Sequence, residues 1–334
     1  MKRKHFFFRL AVFINLLVLL LLLVAMNQLP FKLEFPLLTL GTPVLCFISL
    51  FFFFFWLVRF QWPLFLFLIA FALSFESWQL LYQFKSNAIT TSQGIKIMSF
   101  NVRSFNRFEW LKEKEVPQSI ADFIEKNAPD VICFQEYAVK QAPKFNKYPY
   151  QIFIPYKEKG QIGSCIVSKF PLLHPESIPF EGSSNGGMQS DLLWKKDTLR
   201  LYNIHFESLR INSKDTLFST QYSKKFASKI TTVFKQQKKQ INQFNMLAKE
   251  SPHPEIICTD LNNNAFSESY QSVAKGRFDA FIEQGKGFGG TYRFPYFPLR
   301  IDYILTDSKL KIIDFETHEL QLSDHRPISA IISL

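Results

Sequence analysis

The distribution of apolar residues constrains this chain more than any other feature of its sequence. Leu and Phe dominate the first 84 of its 334 residues, whereas the remainder has the mixed composition of a globular domain. A helix needs about 20 predominantly apolar residues to cross a bilayer. We therefore predict a membrane segment, 1–84, a short polar linker, 85–94, and a globular domain, 95–334.

Three apolar runs lie within the first 84 residues, and each is a candidate membrane-spanning helix. They cover residues 10–26, 37–58 and 63–83. The third contains Glu76, but Trp78 and Tyr82 near its end are typical of a membrane interface. The sequence thus predicts three transmembrane helices. A signal peptide is the alternative for the first run, although no small-residue cleavage site follows it.

Basic residues at the N-terminus predict the orientation of these helices. Lys2, Arg3, Lys4 and Arg9 precede the first run, and such residues tend to stay on the cytoplasmic side of a membrane. Three crossings then place the globular domain on the other side, which is the periplasm if the membrane is a bacterial inner membrane. If Glu76 prevents the third crossing, the domain is cytoplasmic instead.

Charge and cysteine content limit the possible partners. Of the net charge of +11, +5 falls in residues 1–90 and +6 in the rest. A mildly basic domain suits an anionic substrate or a lipid surface but is less basic than a dedicated nucleic-acid-binding domain. Cys133, Cys165 and Cys258 lie in apolar, strand-like runs. An odd number of cysteines in such runs argues against a disulfide framework, and the lack of a C-x-x-C pair argues against zinc.

The pattern of the globular domain predicts an α+β fold. Strand-like runs such as "IKIMSFNV", "DVICFQE" and "EIICTD" follow one another with turn signals between them. Helical spacing is limited to "VPQSIADFIEKNAP" and a long polar helix over 215–249. Many strands with few helices indicate a mixed sandwich and not a regularly alternating parallel sheet.

Polar residues of one chemical type recur at the ends of these strand-like runs. A strand-terminal Asp or Asn usually begins a turn, so any one of them has a structural explanation, but their recurrence at corresponding positions favours a shared site. They are Asn101, Glu136, His205, Asp260, Asn262, Asp302, Asp324 and His325.

The residue types match the needs of phosphate-ester hydrolysis. Carboxylate and amide oxygens are ligands for a hard cation such as Mg²⁺ or Mn²⁺. A His beside an Asp suits proton transfer or the stabilisation of an oxyanion. Hydrolysis of a phosphodiester needs a cation, donors to the phosphate oxygens and a carboxylate that positions or deprotonates water.

The ordered motifs "SFN", "FQE", "NIH", "TDLN", "RIDYI" and "SDHRP" resemble those of the endonuclease/exonuclease/phosphatase superfamily, the DNase I-like metal-dependent phosphohydrolases. The resemblance covers residues 95–334. It implies a four-layer α/β-β/α sandwich, in which two central, mainly antiparallel sheets are flanked by helices and the active site lies at one rim. One departure is Thr259, where the family often has Gly before the Asp of its "DxN" motif.

The resemblance implies a metal site and a phosphate-binding site. Glu136 is similar to the principal metal ligand, Asn101 to a nearby ligand or a phosphate-orienting amide, and Asp324 to a carboxylate on the metal side. His205 resembles the His that contacts phosphate. Tyr156 is a candidate for the Tyr that some nuclease relatives place near phosphate.

The remaining motif residues resemble catalytic groups. Asp260 is similar to the residue that aligns or deprotonates water, and Asn262 to a donor to the phosphate. His325 resembles the catalytic imidazole, which Asp302 orients.

Taken together, the sequence predicts a membrane-anchored, Mg²⁺- or Mn²⁺-dependent phosphohydrolase, with phosphodiester bonds as its foremost target. The substrate contains phosphate, but a phospholipid head group, an inositide, DNA and RNA all stay open. A non-catalytic membrane scaffold that retained the fold is the alternative from another class. The sequence does not define the oligomeric state.

Two further motifs have structural explanations. "GKGFGG" at 285–290 matches G-x-G-x-x-G but lacks the strand and helix of a dinucleotide fold, so we interpret it as a loop beside the active site. The Lys-rich stretch over 223–240 could contact a membrane or a nucleic acid, but the solvated face of a helix is the simpler interpretation.

Overall fold

The structure is a computed structural model, and it describes residues 2–28, 35–85, 94–209, 220–294 and 297–334. Most of the predicted linker and the start of the predicted helix 215–249 lie outside these ranges. The described helices are α1 (Lys2–Ala25), α2 (Pro36–Leu40), α3 (Thr42–Val58), α4 (Leu64–Leu73), α5 (Phe75–Gln79), α6 (Val116–Asn127), α7 (Thr220–Lys249), α8 (Glu268–Ala274) and α9 (Ala280–Gln284).

The described strands fall into two six-stranded sheets and one small pair. The strands are β1 (Gln83–Phe84), β2 (Ile95–Asn101), β3 (Val131–Ala138), β4 (Tyr150–Pro155), β5 (Ile162–Ser168), β6 (Leu172–Pro179), β7 (Gly186–Trp194), β8 (Asp197–His205), β9 (Glu255–Asp260), β10 (Arg277–Asp279), β11 (Lys286–Gly287), β12 (Asp302–Asp307), β13 (Lys311–Thr317) and β14 (Ile328–Ser333). One sheet has the order β13-β14-β2-β3-β5-β4 and the other β10-β12-β9-β8-β7-β6. Only β2–β3 and β8–β9 are parallel among the described pairs of these sheets.

The main hydrophobic core lies between the two sheets. Alternate residues of a strand point to opposite faces, so Ile95 and Ile97 of β2 face this core together with Cys133 of β3. Leu201 and Cys258 face them from the other sheet. The strand cysteines are buried and free, as their apolar surroundings predict.

Helices cover the outer face of each sheet and complete four layers. Ile120 and Ile124 of α6 pack against Phe134 on the outside of the first sheet. Ile241 and Phe244 of α7 pack in the cluster on the outside of the second sheet, together with residues of α8. The predicted α+β sandwich with two central sheets is therefore confirmed.

The N-terminal segment differs from the predicted three spans. By length and composition, only Lys4–Ala25 of α1 can cross a membrane among the described helices, with 22 residues and a mean hydropathy of 2.8. The run 37–58 divides at Gly41 into α2 and the 17-residue α3, and 17 residues of helix span only about 26 Å. The run 63–83 divides at Ser74 into α4 and α5 and ends in β1.

The helices of this segment run back and forth beside one another. The Phe8 ring of α1 lies 5.5 Å from the Trp56 ring of α3, so the end of α3 lies near the beginning of α1. Phe67 of α4 lies 4.8 Å from Phe53 of α3. The segment then reaches the sandwich, where β1 pairs with β11 in antiparallel register.

Candidate active site

The two parallel strand pairs bring the predicted polar residues to one rim of the sandwich. Parallel neighbours end at the same edge of a sheet, so Asn101 of β2 and Glu136 of β3 lie together, as do His205 of β8 and Asp260 of β9. Antiparallel β12 begins at this edge, where Asp302 lies opposite Asp260 in the register. All of the residues that the sequence predicts for the site lie at or beside this rim.

Asp260 lies at the centre of the site and is fully buried. Its Oδ2 atom accepts a hydrogen bond of 2.8 Å from Asn101 Nδ2, and its Oδ1 atom accepts one of 2.9 Å from the Asn262 N–H. His205 Nε2 lies 3.4 Å from Oδ2, and His325 Nε2 lies 3.7 Å from it. One carboxylate thus contacts two amides and lies between two imidazoles.

Asp302 holds the other side of the His325 ring. Nδ1 of His325 lies 3.0 Å from each oxygen of Asp302. The loop before β14 is fixed as well, because Ser323 Oγ donates to the Asn101 carbonyl at 2.8 Å and accepts from the His325 N–H at 3.2 Å. The ring of Tyr292 contacts the His325 ring edge to face, with centroids 5.2 Å apart. The imidazole is therefore oriented from several sides.

Glu136 occupies an irregular position of β3. The register with β5 shifts between Phe134 and Tyr137, and Glu136 has a φ of +50°. Such bulges redirect a side chain. Glu136 Oε1 lies 3.3 Å from Asn101 Nδ2 and 3.9 Å from His205 Nε2, and the side chain is 34% exposed. The Glu136 N–H donates to the Tyr156 hydroxyl at 3.2 Å, which explains why Tyr156 lies at this edge.

The surroundings separate the pKa values of the two histidines. Burial lowers the pKa of His205, and the nearby Asp260 carboxylate offsets this only in part. Burial also acts to lower the pKa of His325, but the carboxylates of Asp302 and Asp260 outweigh it and hold the pKa well above its ordinary value. The site therefore combines a neutral imidazole with a cationic one.

The carboxyl groups are shifted as well. Burial raises the pKa of Asp260 to about 6, although both histidines and the Asn101 amide act in the opposite direction. Burial also raises the pKa of Glu136. A carboxyl group with a pKa near neutrality is suited to accept a proton.

Asp324 has a partner that the sequence did not predict. Arg103 Nη1 lies 2.9 Å from Asp324 Oδ2, and the guanidinium stacks on the Trp110 ring at 4.4 Å from its centroid. Arg103 begins a turn in which four consecutive residues have positive φ, between 42° and 60°. The Arg103 N–H donates to Asn101 Oδ1 at 2.9 Å. Both the backbone and the side chain of Arg103 therefore connect this turn to the site.

Two groups of side chains have the donor chemistry for a divalent metal. One is Glu136 with Asn101, where the carboxylate is partly exposed and no basic side chain binds it within hydrogen-bond distance in the described residues. The other is Asp260, Asp302 and His325, whose ligand atoms lie within 4.8 Å of one another. In the second group, Nδ1 of His325 is already bound by Asp302.

Three residues of the site were not predicted from the sequence. Asn185 Nδ2 lies 3.3 Å from His205 Nε2 and donates to the Phe206 carbonyl at 2.8 Å. Arg103 and Tyr292 complete the group. The only available signal was position: Asn185 lies in the Gly- and Ser-rich stretch before β7, and Arg103 lies two residues after the "SFN" motif.

The site opens into a cavity of about 490 Å³. Glu136, Tyr156 and His205 line it, together with Arg107 and Lys157. The cavity thus places two basic side chains near the catalytic rim, which suits an anionic ligand.

A two-sheet sandwich with carboxylates, amides and a His–Asp pair gathered at one rim defines the DNase I-like class of proteins. The chain belongs to this class as a member of the Endonuclease/Exonuclease/phosphatase family, which it matches over residues 98–325. Members of the family are hydrolases that act on phosphate esters and phosphodiesters, and they generally use a divalent metal. No curated protein sequence matches the chain.

Solved structures share the fold at low sequence identity. A humanised TDP2 from D. rerio is 17% identical with a TM-score of 0.57, and the match covers 73% of this chain and 100% of that one. An endonuclease/exonuclease/phosphatase family protein from Bacteroides thetaiotaomicron is 14% identical with a TM-score of 0.57, covering 73% and 98%. The human Nocturnin catalytic domain, with a bound sulfate anion, is 16% identical with a TM-score of 0.53, covering 72% and 93%.

Proposed function

We propose that this protein is a membrane-anchored, divalent-metal-dependent phosphohydrolase that cleaves phosphodiester bonds. The observation that carries the proposal is the position of Asp260, which lies between His205 and His325 and beside the Glu136–Asn101 pair. A group of this kind can hold a phosphate, accept a proton from water and place a cation against the phosphate oxygens.

Asp260 is the proposed base. A water molecule attacks phosphorus, the bond from phosphorus to the leaving oxygen breaks, the proton of the water passes to Asp260, and the departing alkoxide takes up a proton from solvent. The buried position of Asp260 supports this role, because its pKa of about 6 leaves the carboxylate ionised at neutral pH while keeping it basic.

The histidines and Asn262 are the proposed phosphate ligands. His325, held as a cation by Asp302, stabilises negative charge on the phosphate oxygens, and a fixed donor of this kind contributes roughly 10²-fold or more to a rate. His205 is uncharged and is held against Asn185, so it can donate a hydrogen bond without adding charge. Asn262, with a φ of +54°, donates its amide to the Phe206 carbonyl at 3.1 Å and lies beside the same rim.

Glu136 and Asn101 are the proposed metal ligands, with Asp324 near them. Oxygen donors of this type favour Mg²⁺ or Mn²⁺. When bound, the cation neutralises charge on the phosphate. The Asn101 amide also donates to Asp260, so it links the metal side of the site to the base.

The N-terminal segment supports a membrane location. Most of the large apolar side chains that are exposed in the described residues precede residue 85, among them Phe6, Phe13, Phe51, Phe65 and Ile69. An exposed apolar surface of this extent is unusual for a water-soluble protein and marks contact with a membrane or a partner. We propose a bacterial inner membrane, with the catalytic domain on the periplasmic side.

Hydrolysis of bis-p-nitrophenyl phosphate by the full-length protein in detergent tests the activity. We expect turnover that requires added Mg²⁺ or Mn²⁺, is lost with a chelator and falls by roughly 10²-fold or more in His325→Ala. Exposed Lys195→Ala, on the turn between β7 and β8, serves as the control. Metal-independent turnover would contradict the proposed metal requirement, and no turnover of any phosphodiester would favour the scaffold alternative.

A further inference from the structure

The N-terminal helices contact the loops that form the active-site rim. In the loop after β9, Asn264 Nδ2 donates to the Thr39 carbonyl of α2 at 2.9 Å. Phe266, two residues further on, packs with Met26 and Leu81. Asn264 and Phe266 lie four and six residues after Asp260, so the membrane segment touches the catalytic rim itself and not a distant face of the sandwich.

Two other rim loops make equivalent contacts. Leu209, four residues after His205, packs in a cluster that includes Leu40 of α2. Phe288, on the segment that leads to Tyr292, lies 5.8 Å from the Phe47 ring and 4.9 Å from the Tyr82 ring. The three loops therefore meet the same end of the helical segment.

An open trough connects the catalytic residues with this helical segment. The cavity beside Glu136 shares Lys157 and Ser208 with a second cavity of about 660 Å³. The second cavity is also lined by Glu207, Lys229 and Val233. Val233 belongs to the cluster that contains Leu40, so the trough ends beside α2.

Basic side chains outnumber acidic ones, three to two, along the trough. Arg107, Lys157 and Lys229 line it, whereas its acidic residues are Glu136, assigned to the metal, and Glu207, which accepts a hydrogen bond from Ser183. An anionic head group is favoured in such a trough.

An exposed aromatic residue adjoins, in sequence, a residue that lines the cavity. Phe108 is 71% exposed and directly follows Arg107, which lines the cavity. Aromatic residues next to basic ones are typical of surfaces that rest on a membrane interface. This aromatic side chain and the docked helices are independent features of one rim.

We propose that the substrate is a membrane phospholipid, whose head group reaches the site along the trough while its acyl chains stay in the bilayer beside α2. This inference rests on the proposed phosphohydrolase activity and membrane anchoring. Hydrolysis adds one water molecule to the phosphodiester and yields a phosphate monoester and an alcohol. One of these products carries the acyl chains and remains in the bilayer.

The test compares a lipid with soluble substrates. The full-length protein is reconstituted in vesicles of phosphatidylglycerol and phosphatidylethanolamine with Mg²⁺ or Mn²⁺, and lipid products are measured by mass spectrometry. Glycerophosphoglycerol, which has the same head group without acyl chains, and bis-p-nitrophenyl phosphate are assayed in parallel. We expect hydrolysis of at least one vesicle lipid, at a rate at least about tenfold above that of the deacylated compound.

Phe108→Ser separates a membrane contact from catalysis. We expect it to lower vesicle-lipid hydrolysis by about tenfold, because partial burial of one aromatic side chain in the membrane stabilises binding by about that factor. Hydrolysis of bis-p-nitrophenyl phosphate should stay unchanged. Met246→Ser is the matched control, because Met246 is also 71% exposed but lies on α7 away from the trough.

The outcomes distinguish the two proposals. Cleavage of bis-p-nitrophenyl phosphate with intact vesicle lipids, equal rates on the deacylated compound, or a preference for DNA would overturn the lipid inference and leave the phosphohydrolase proposal standing. Failure to cleave any phosphodiester would overturn both. An equal loss of lipid and soluble activity in Phe108→Ser would show that the residue does not act through the membrane.

Discussion

At the scale of single residues, His325 and Asp302 behave as one unit, because the carboxylate contacts the imidazole and supplies the charge that keeps it protonated. Asp302→Asn removes that charge, so the pKa of His325 falls. Since a cationic group is lost as the pH rises through its pKa, we expect the alkaline limb of the kcat profile to move to lower pH. Titration of the His325 ring by NMR and the pH dependence of kcat measure this shift, and an unmoved limb contradicts the assignment.

A double-variant cycle tests the same pair by a second criterion. We expect His325→Ala and Asp302→Asn each to lower kcat by roughly 10²-fold or more, and the double variant to be little worse than His325→Ala alone. His325 is buried, so its removal also lowers stability, and activity has to be compared per folded molecule. Fully additive losses would remove Asp302 from the mechanism.

Glu136 is the residue that distinguishes the two candidate metal groups. Glu136→Gln exchanges a charged ligand for a neutral amide of nearly the same size, so we expect weaker Mg²⁺ binding and partial recovery of activity at high Mg²⁺. Calorimetry measures the affinity, with Asp302→Asn as the comparison. If Asp302→Asn weakens binding and Glu136→Gln does not, the metal lies in the Asp260–Asp302–His325 group.

The residues of the site could be predicted because each lies at the end of an apolar strand in a recognisable motif. Their partners could not. Arg103 reaches Asp324 only because a turn of left-handed residues carries it there, and nothing in its composition indicates such a backbone. Asn185 approaches His205 from a loop that carries no motif, so only the folded arrangement of β7 and β8 reveals it.

At the scale of secondary structure, the end of α6 contains a residue whose backbone does not suit it. Ala128 caps the helix in the left-handed conformation, with a φ of +47°, a position that favours Gly. We expect Ala128→Gly to raise the free energy of unfolding by about 1 kcal/mol, measured by denaturant unfolding in detergent. The matched control, Ala121→Gly inside the same helix, should lower it by about 1 kcal/mol; the same sign for both would contradict this reasoning.

The elements that the sequence predicted well are those with a buried face. The strands β2, β3 and β9 follow from apolar runs that end at turn signals. Strand β6 was missed, because it is a sheet edge with mostly exposed residues and contains Pro175, and such a strand has no apolar period. Strands β1, β10 and β11 have two or three residues each, too few for any pattern.

At the scale of the whole molecule, the N-terminal segment is packed against the catalytic domain and is not only attached to it. Besides the β1–β11 pair, Lys85 Nζ donates to the carbonyls of Ile282 and Glu283. The number of apolar runs suggested three equal spans, but hydropathy alone does not show where a helix is interrupted. Gly41 and Ser74 divide the second and third runs, so the sequence predicted the apolar segment well and its helices less well.

These contacts lead to a prediction of topology. Residues 36–40 contact α7, and residues 83–85 contact the segment around β11, so both ends of the stretch between them lie on the side of the catalytic domain. The stretch between residues 40 and 83 therefore crosses a membrane an even number of times or not at all. Whether Glu76 prevents a crossing then no longer affects the side on which the catalytic domain lies. In the proposed topology, a single crossing by α1, with the basic N-terminus inside, alone determines the side.

We therefore expect the catalytic domain to lie outside the cytoplasm. In a bacterial host, an alkaline phosphatase fused after Leu334 should be active and a green fluorescent protein fused there should be dark. Replacing Lys2, Arg3, Lys4 and Arg9 by Glu removes the charge that retains the N-terminus, so we expect this variant to lose alkaline phosphatase activity. The intact mass of the purified protein separates an anchor from a cleaved signal peptide, since an anchor keeps residues 2–25. Fluorescence of the green fluorescent protein fusion in the unmodified chain would show that α1 does not set the orientation. That result would also contradict the proposed periplasmic location.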